Sequence, residues 1–192
     1  MPKYFYIFRH GETELNRQKR WQGSGMDYDL TEFGVAQAQD LAQKLQGKGI
    51  EKIYSSPLVR ALHTAQEVGK ALNVEVEVRQ DLRECFYGKA EGMLIADLQV
   101  QVPEIVNNWQ NPNFMDIRFE GGESKKEALD RVLTELKKIE QEPQITVGIA
   151  VHGGTMAALL NHFCFEFDKI PNCGTFCLEV DEKNTKVVGN IF

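Results

Sequence analysis

Phe8-Arg9-His10-Gly11-Glu12-Thr13-Glu14-Leu15-Asn16 is the stretch on which the reading of the chain turns. The run Tyr4-Phe5-Tyr6-Ile7-Phe8 leads into it, short, apolar and rich in aromatics, and this composition predicts a buried strand. The strand ends in an arginine, a histidine and a glycine, after which Thr13 or Asn16 is placed to open a helix. A charged pair at the end of a central strand is costly to bury without a partner or a task. In open α/β sheets that edge is also where ligands bind. A plain salt bridge at a strand end is the alternative.

A second apolar run, Gln144-Ile145-Thr146-Val147-Gly148-Ile149-Ala150-Val151, ends in His152-Gly153-Gly154-Thr155. Two strands would then deliver a histidine followed by glycine to one edge of a sheet. A third element, Ser55-Ser56-Pro57-Leu58-Val59-Arg60-Ala61, closes a short strand and starts a helix that carries Arg60. Between these points strands and helices alternate. A helix begins at Thr31 and is stopped by Gly47 and Gly49. A strand spans residues 50–55, and a helix beginning near Pro57 is closed by Asn73. Val74-Glu75-Val76-Glu77-Val78 alternates with period two. Residues 123–140 carry Ala128, Val132, Leu136 and Ile139 at helical spacing, and a helix runs from 155 to about 164. Residues 174–180 and 186–191 read as two closing strands. The pattern predicts an α/β fold, a three-layer α/β/α sandwich on a mostly parallel sheet of about six strands. It fills residues 1–192 as a single domain, with an irregular lid-like segment at 85–122.

The chain has 192 residues, 42% of them hydrophobic and 26% charged, as expected of a soluble globular protein. With 22 basic and 28 acidic residues it carries a net charge of −6, which argues against a nucleic-acid partner. A phosphate ligand would have to be drawn by a local positive site. No apolar run approaches a membrane span, and the first segment, cut short by Arg9-His10, does not read as a signal peptide. A cytoplasmic protein, monomer or homodimer, is expected. Cys85, Cys164, Cys173 and Cys177 form no Cys-x-x-Cys pair and are expected to be buried thiols. A zinc site of Cys173, Cys177 and His162 fits no common spacing.

Taken in order, Arg9-His10-Gly11-Glu12 with Asn16, Ser56-Pro57 with Arg60-Ala61 and Thr64-Ala65, Leu82-Arg83-Glu84, Gly121-Gly122-Glu123-Ser124 and Val151-His152-Gly153-Gly154 resemble the histidine phosphatase superfamily. The likeness is to the branch that includes phosphoglycerate mutases and related small phosphatases, and it covers the whole chain. The resemblance implies a phosphoglycerate mutase-like sheet with one antiparallel edge strand. It also implies a phosphohistidine on His10, with Arg9, Arg60 and His152 clamping the phosphoryl oxygens. Arginine suits that task because its planar fork stays charged and grips phosphate at two points. Asn16, Gln22 and the Gly153 amide would be further donors, and Gln22-Gly23 falls where the family has a loop touching the phosphoryl group. Glu84 would be the proton donor, holding its proton in the substrate complex and then activating water. Glu12, Glu123, His63 and His162 read as structural.

The segment Glu84-Cys85-Phe86-Tyr87-Gly88-Lys89-Ala90-Glu91-Gly92-Met93-Leu94-Ile95 lacks the Asn-Lys pair that mutases of this branch carry after Tyr-Gly. A phosphomonoesterase acting on small phosphorylated metabolites, with neither metal nor cofactor, is therefore expected ahead of a mutase. Trp109, Phe114 and Met115 would supply an apolar lid for organic leaving groups. Cys85 would make the site oxidisable. A zinc hydrolase built on His10, Glu84 and His152 is opposed by the two arginines, whose charge repels a cation. A non-catalytic phospho-ligand module is opposed by the complete residue set.

Overall fold

The computed structural model describes residues 1–181 and 184–189. The chain runs β1 (Lys3–Arg9), α1 (Glu14–Arg17), α2 (Glu32–Leu45), β2 (Lys52–Ser55), α3 (Val59–Leu72), β3 (Glu75–Val78), α4 (Ile95–Gln101), α5 (Pro103–Asn108), α6 (Lys125–Glu140), β4 (Thr146–Val151), α7 (Gly153–His162), β5 (Thr175–Asp181) and β6 (Asn184–Val188). The six strands form one sheet in the order β3-β2-β4-β1-β5-β6.

Alternation along β1 divides the core into two faces. Phe5 and Ile7 pack with Leu136 and Ile139 of α6 and with Met156 and Leu160 of α7. Tyr6 and Phe8 pack on the opposite side with Leu41 and Leu45 of α2 and Val68 of α3. These are the two helical layers expected from the alternating pattern. β1 pairs parallel with β4, and β4 parallel with β2.

Several local expectations need correcting. The antiparallel strand is β5, which lies inside the sheet between β1 and β6 and is not an edge strand. After α7 the chain returns to the carboxyl end of β1, where the Arg9 amide donates to the Gly174 carbonyl, so β5 starts there and runs opposite to β1. Pro57 precedes α3, whose first residue is Val59. Helix α6 starts after Ser124, whose side chain accepts the Glu127 amide while Glu127 caps back in a capping box. The last strand, read to 191, is described only to Val188, and its remainder lies outside the described residues. Of the four cysteines expected to be buried, Cys85 and Cys177 are, whereas Cys164 is exposed and Cys173 half-buried. Asn73 does close α3, taking the left-handed conformation at φ 55°.

Lys125 is an anomaly in this core. It sits in the first turn of α6, where the helix dipole disfavours a cation, yet it is only 1% exposed. Its Nζ donates to the Asn111 carbonyl at 2.9 Å. Burial pushes its pKa down to about 8. The folded value therefore lies below the unfolded value of roughly 10.4. Between those limits the unfolded chain binds more protons, so stability rises with pH. Wild type should gain on the order of 1–3 kcal/mol relative to Lys125→Met as pH rises through that window. Denaturant titrations of both proteins at pH 7 and 10.5 check this; a constant difference would refute it.

Candidate active site

Adjacent strand ends build the centre of the site. Arg9 stands opposite Val151 across the β1–β4 ladder, and the His10 amide donates to the Val151 carbonyl at 3.1 Å. His10 and His152 thus leave the sheet side by side, with ring centroids 5.3 Å apart. Gly11 is required by a close backbone approach: a Cβ there would lie 2.4 Å from the Gly34 carbonyl oxygen. Its amide donates to Thr64 Oγ1, which donates to the Arg60 carbonyl, so α3 is tied to the strand end.

The ring of His10 is 3% exposed. Its Nδ1–H donates to the Gly11 carbonyl at 2.7 Å, which leaves the Nε2 lone pair free. Burial, followed by the charges of Arg60 and Arg9, holds His10 well below the usual histidine pKa. A neutral imidazole with a fixed tautomer is a competent nucleophile. His152 is fully buried, and its Nε2 lies 2.7 Å from Ser56 Oγ. Burial and then Arg60 push its pKa well down too. Ser56 Oγ already accepts the Leu58 amide, which assigns its own proton to His152 Nε2; Nδ1 then carries the ring proton, and that buried atom has no partner.

Two arginines stand beside the histidines: Arg9 lines the cleft, while Arg60, like His152, is buried behind its wall. Arg9 Nη1 donates to the Ile170 carbonyl at 2.7 Å. Arg60 is 0% exposed; its Nη2 donates to the Gly23 carbonyl at 3.1 Å, and Nη1 to the Met26 carbonyl at 3.2 Å. Asp27 lies 3.5 Å from Nη1. Each guanidinium keeps a buried Nε–H without a partner. Three unpartnered buried donors, on Arg9, Arg60 and His152, therefore belong to the groups whose charges act on one another and on His10. Arg60→Lys keeps the charge but loses the fork, and a loss of about 10²-fold in kcat/KM is expected with the fold intact. A near-normal rate would mean that the guanidinium serves only the loop at residues 23–27.

Glu84 approaches from the other side and is 4% exposed. Its Oε1 accepts from the amides of Cys85 and Thr155, both at 3.0 Å, and from Thr155 Oγ1 at 3.1 Å. Its Oε2 accepts from the Gly154 amide at 2.9 Å. A carboxylate at the N-terminus of α7 is favoured by the helix dipole and by these otherwise unpaired amides. Gly154 makes the approach possible, since a Cβ would sit 2.0 Å from Tyr87 Oη.

The remaining expected residues divide. Asn16 and Gln22 line the cleft, held by Asn172 Nδ2 (3.0 Å) and Thr13 Oγ1 (2.7 Å) respectively. Gly153 also lines it, beside Arg9 Nε. Gly23 is not part of the cleft wall; its carbonyl serves Arg60. Two contributors had no assigned role in the sequence reading. Ser56 holds His152, and Asn172 bridges the His10 carbonyl (3.1 Å) and Asn16. A hydroxyl after a strand and a lone asparagine in a turn carry no periodic signal.

The cleft has a volume of about 430 Å³. Of the three apolar groups expected over it, only Trp109 lines it. Phe114 is exposed, and Met115 packs on the main core. Trp109 belongs to an aromatic cluster with Trp21, Tyr87 and Phe119, ring centroids 5.0–6.3 Å apart. Cys85 is not poised for oxidation: it is buried against the Glu123 carbonyl, and burial raises its pKa strongly. Among the described residues no three His, Cys, Asp or Glu side chains are grouped to hold a metal ion.

Residues 5–189 match the family model of the histidine phosphatase superfamily (branch 1). Phosphoserine phosphatase 1 of Hydrogenobacter thermophilus is 36% identical over 155 residues, covering 80% of this chain and 72% of that protein. Phosphoglycerate mutase-like protein 4 of Arabidopsis thaliana is 33% identical over 157 residues, 80% of this chain and 67% of that one. The solved structure of Bacillus stearothermophilus YhfR superposes with a TM-score of 0.84 at 27% identity, covering 96% of this chain and 95% of the other. A mycobacterial glucosyl-3-phosphoglycerate phosphatase solved with VO3 gives 0.86 at 24% identity, covering 99% and 98%, and so speaks for the fold. With the family pattern spanning nearly every residue, the chain belongs to the histidine phosphatase superfamily, branch 1.

Proposed function

We propose that the protein hydrolyses small phosphomonoesters through a phosphohistidine formed on His10. The observation that carries this reading is the set of three buried, unpartnered donors beside a neutral histidine. Phosphoryl transfer needs an in-line nucleophile and positive charge around the equatorial oxygens. His10 Nε2 attacks phosphorus; Arg9, Arg60 and His152 hold the oxygens; Asn16, Gln22 and the Gly153 amide add donors. Glu84 gives a proton to the leaving oxygen and then takes one from the water that cleaves the phosphohistidine. No step needs a metal, because the guanidinium groups neutralise the phosphate. The segment at 85–122 serves as the lid, with Trp109 as its apolar contact. The four cysteines are free thiols, which suits a reducing, cytoplasmic setting.

Likeness to mutase-named relatives gives the second reading, a phosphoglycerate mutase. A mutase must keep water from its phosphoenzyme while the phosphate passes to a second oxygen. The test is a panel of phosphorylated metabolites, including phosphoserine, a nitrophenyl phosphate and 3-phosphoglycerate with bisphosphate primer, assayed with and without chelator. Steady release of inorganic phosphate that survives chelation is expected. Interconversion of 3- and 2-phosphoglycerate faster than phosphate release would favour the mutase, and loss on chelation would count against a metal-free mechanism.

A further inference from the structure

We propose that the preferred substrate carries a second anionic group, a carboxylate or another phosphate, received at the cleft mouth by Lys19 and Lys169. This rests on the phosphomonoesterase reading and deepens it. The cleft, at about 430 Å³, is larger than a phosphoryl group requires, so most of it must receive the rest of the substrate. Arg9, Lys19, Arg20 and Lys169 all line it, while among the described residues Glu84 is the only lining carboxylate. The charge of Glu84 is set against Arg9 and Arg60, while its oxygens are held by the amides of Cys85, Gly154 and Thr155. Arg20 is committed, donating to the Gly92 carbonyl and to Gln18. Lys19 and Lys169 are exposed, and among the described residues the side chain of neither makes an ion pair or hydrogen bond. In a chain of net charge −6 this is a locally positive mouth left uncompensated.

The backbone of Lys19 is held in a defined turn. Its φ is 55°, in the left-handed region. It follows the cap of α1 in a Schellman turn, with the Arg20 amide on the Leu15 carbonyl and the Lys19 amide on the Asn16 carbonyl. Glycine is the residue that ordinarily fills this position. Asn73 takes the same φ in closing α3, so the conformation marks a helix end; for Lys19 it fixes the turn from which the side chain enters the cleft wall. The Lys19 carbonyl also accepts the Ile95 amide, which fixes the turn against the base of the lid. Lys169 is fixed from the opposite side: it precedes Ile170, whose carbonyl holds Arg9. The two ammonium groups thus rise from anchored backbone on two separate loops that border the site.

Equilibrium binding separates this proposal from the catalytic one. Calorimetry would compare propylphosphonate, 3-phosphonopropionate and a three-carbon bisphosphonate, none of which can be hydrolysed. Two exposed lysine–anion pairs are expected to favour the doubly anionic ligands by roughly tenfold, and less at high salt. In Lys19→Gly/Lys169→Gln the ratio should fall to within about twofold of one. Lys19→Gly alone should be at least as stable as wild type, because glycine suits φ 55°. A preference for the carboxylate only, or for the second phosphonate only, identifies which anion is read. Equal binding of neutral and anionic tails by wild type, or a preference that survives the double substitution, overturns the proposal whatever the turnover assays show. Failure of wild type to release phosphate from any monoester would instead overturn the catalytic reading.

Discussion

His10→Ala is expected to abolish monoester hydrolysis, lowering kcat/KM by about 10⁴-fold or more with the fold retained. The size follows from its proposed role, since among the described residues no other group is placed to form the covalent bond. His152 is the obvious substitute, but its Nε2 is engaged with Ser56. Acid-labile phosphate should appear on wild-type protein during turnover and map to the peptide carrying His10. Label on His152, or residual activity within about 10²-fold of wild type, would remove His10 from that role.

Glu84→Ala is expected to cost about 10²–10⁴ in turnover, in a manner that depends on the leaving group. An alkyl phosphate needs a proton on its departing oxygen and should lose most. A nitrophenolate leaves without one, so with that ester the first step should survive and the second, water activation, should fail. Phosphohistidine would then accumulate as a burst of nitrophenolate followed by slow turnover. The structure supplies the competing explanation, because Glu84 also binds the amides of Gly154 and Thr155 and so helps to seat α7. Equal losses for both esters with no accumulation would show that this seating is its whole contribution.

Much of this site was legible because its chemistry falls at abrupt ends of apolar runs. Arg9-His10-Gly11 and His152-Gly153 interrupt strands, and the interruption is what a sequence displays. Their proximity is then set by one fact, the pairing of β1 with β4. What escaped reading depends on partners distant in sequence. Ser56 and Asn172 owe their places to His152 and His10, across 96 and 162 residues. The direction of β5 is decided by how the chain returns from α7, not by its own alternating residues. Trp109, Phe114 and Met115 are similar in composition and differ in use, because the turn that follows α5 aims only the first at the cleft. The oxidisable Cys85 failed for a related reason, since exposure is a tertiary property.

The position of β1 between β4 and β5 has a consequence for how the protein is made. Both neighbours come from residues 146–181, whereas β1 precedes every other strand of the sheet in the chain and so leaves the ribosome before them. For most of synthesis the central strand has no partner on either edge, and its aromatic residues await a surface that does not yet exist. Contacts so distant in sequence slow folding and leave an aggregation-prone intermediate. A nascent chain arrested before β4 would carry His10 but not the strands that flank β1, so the candidate site is assembled late.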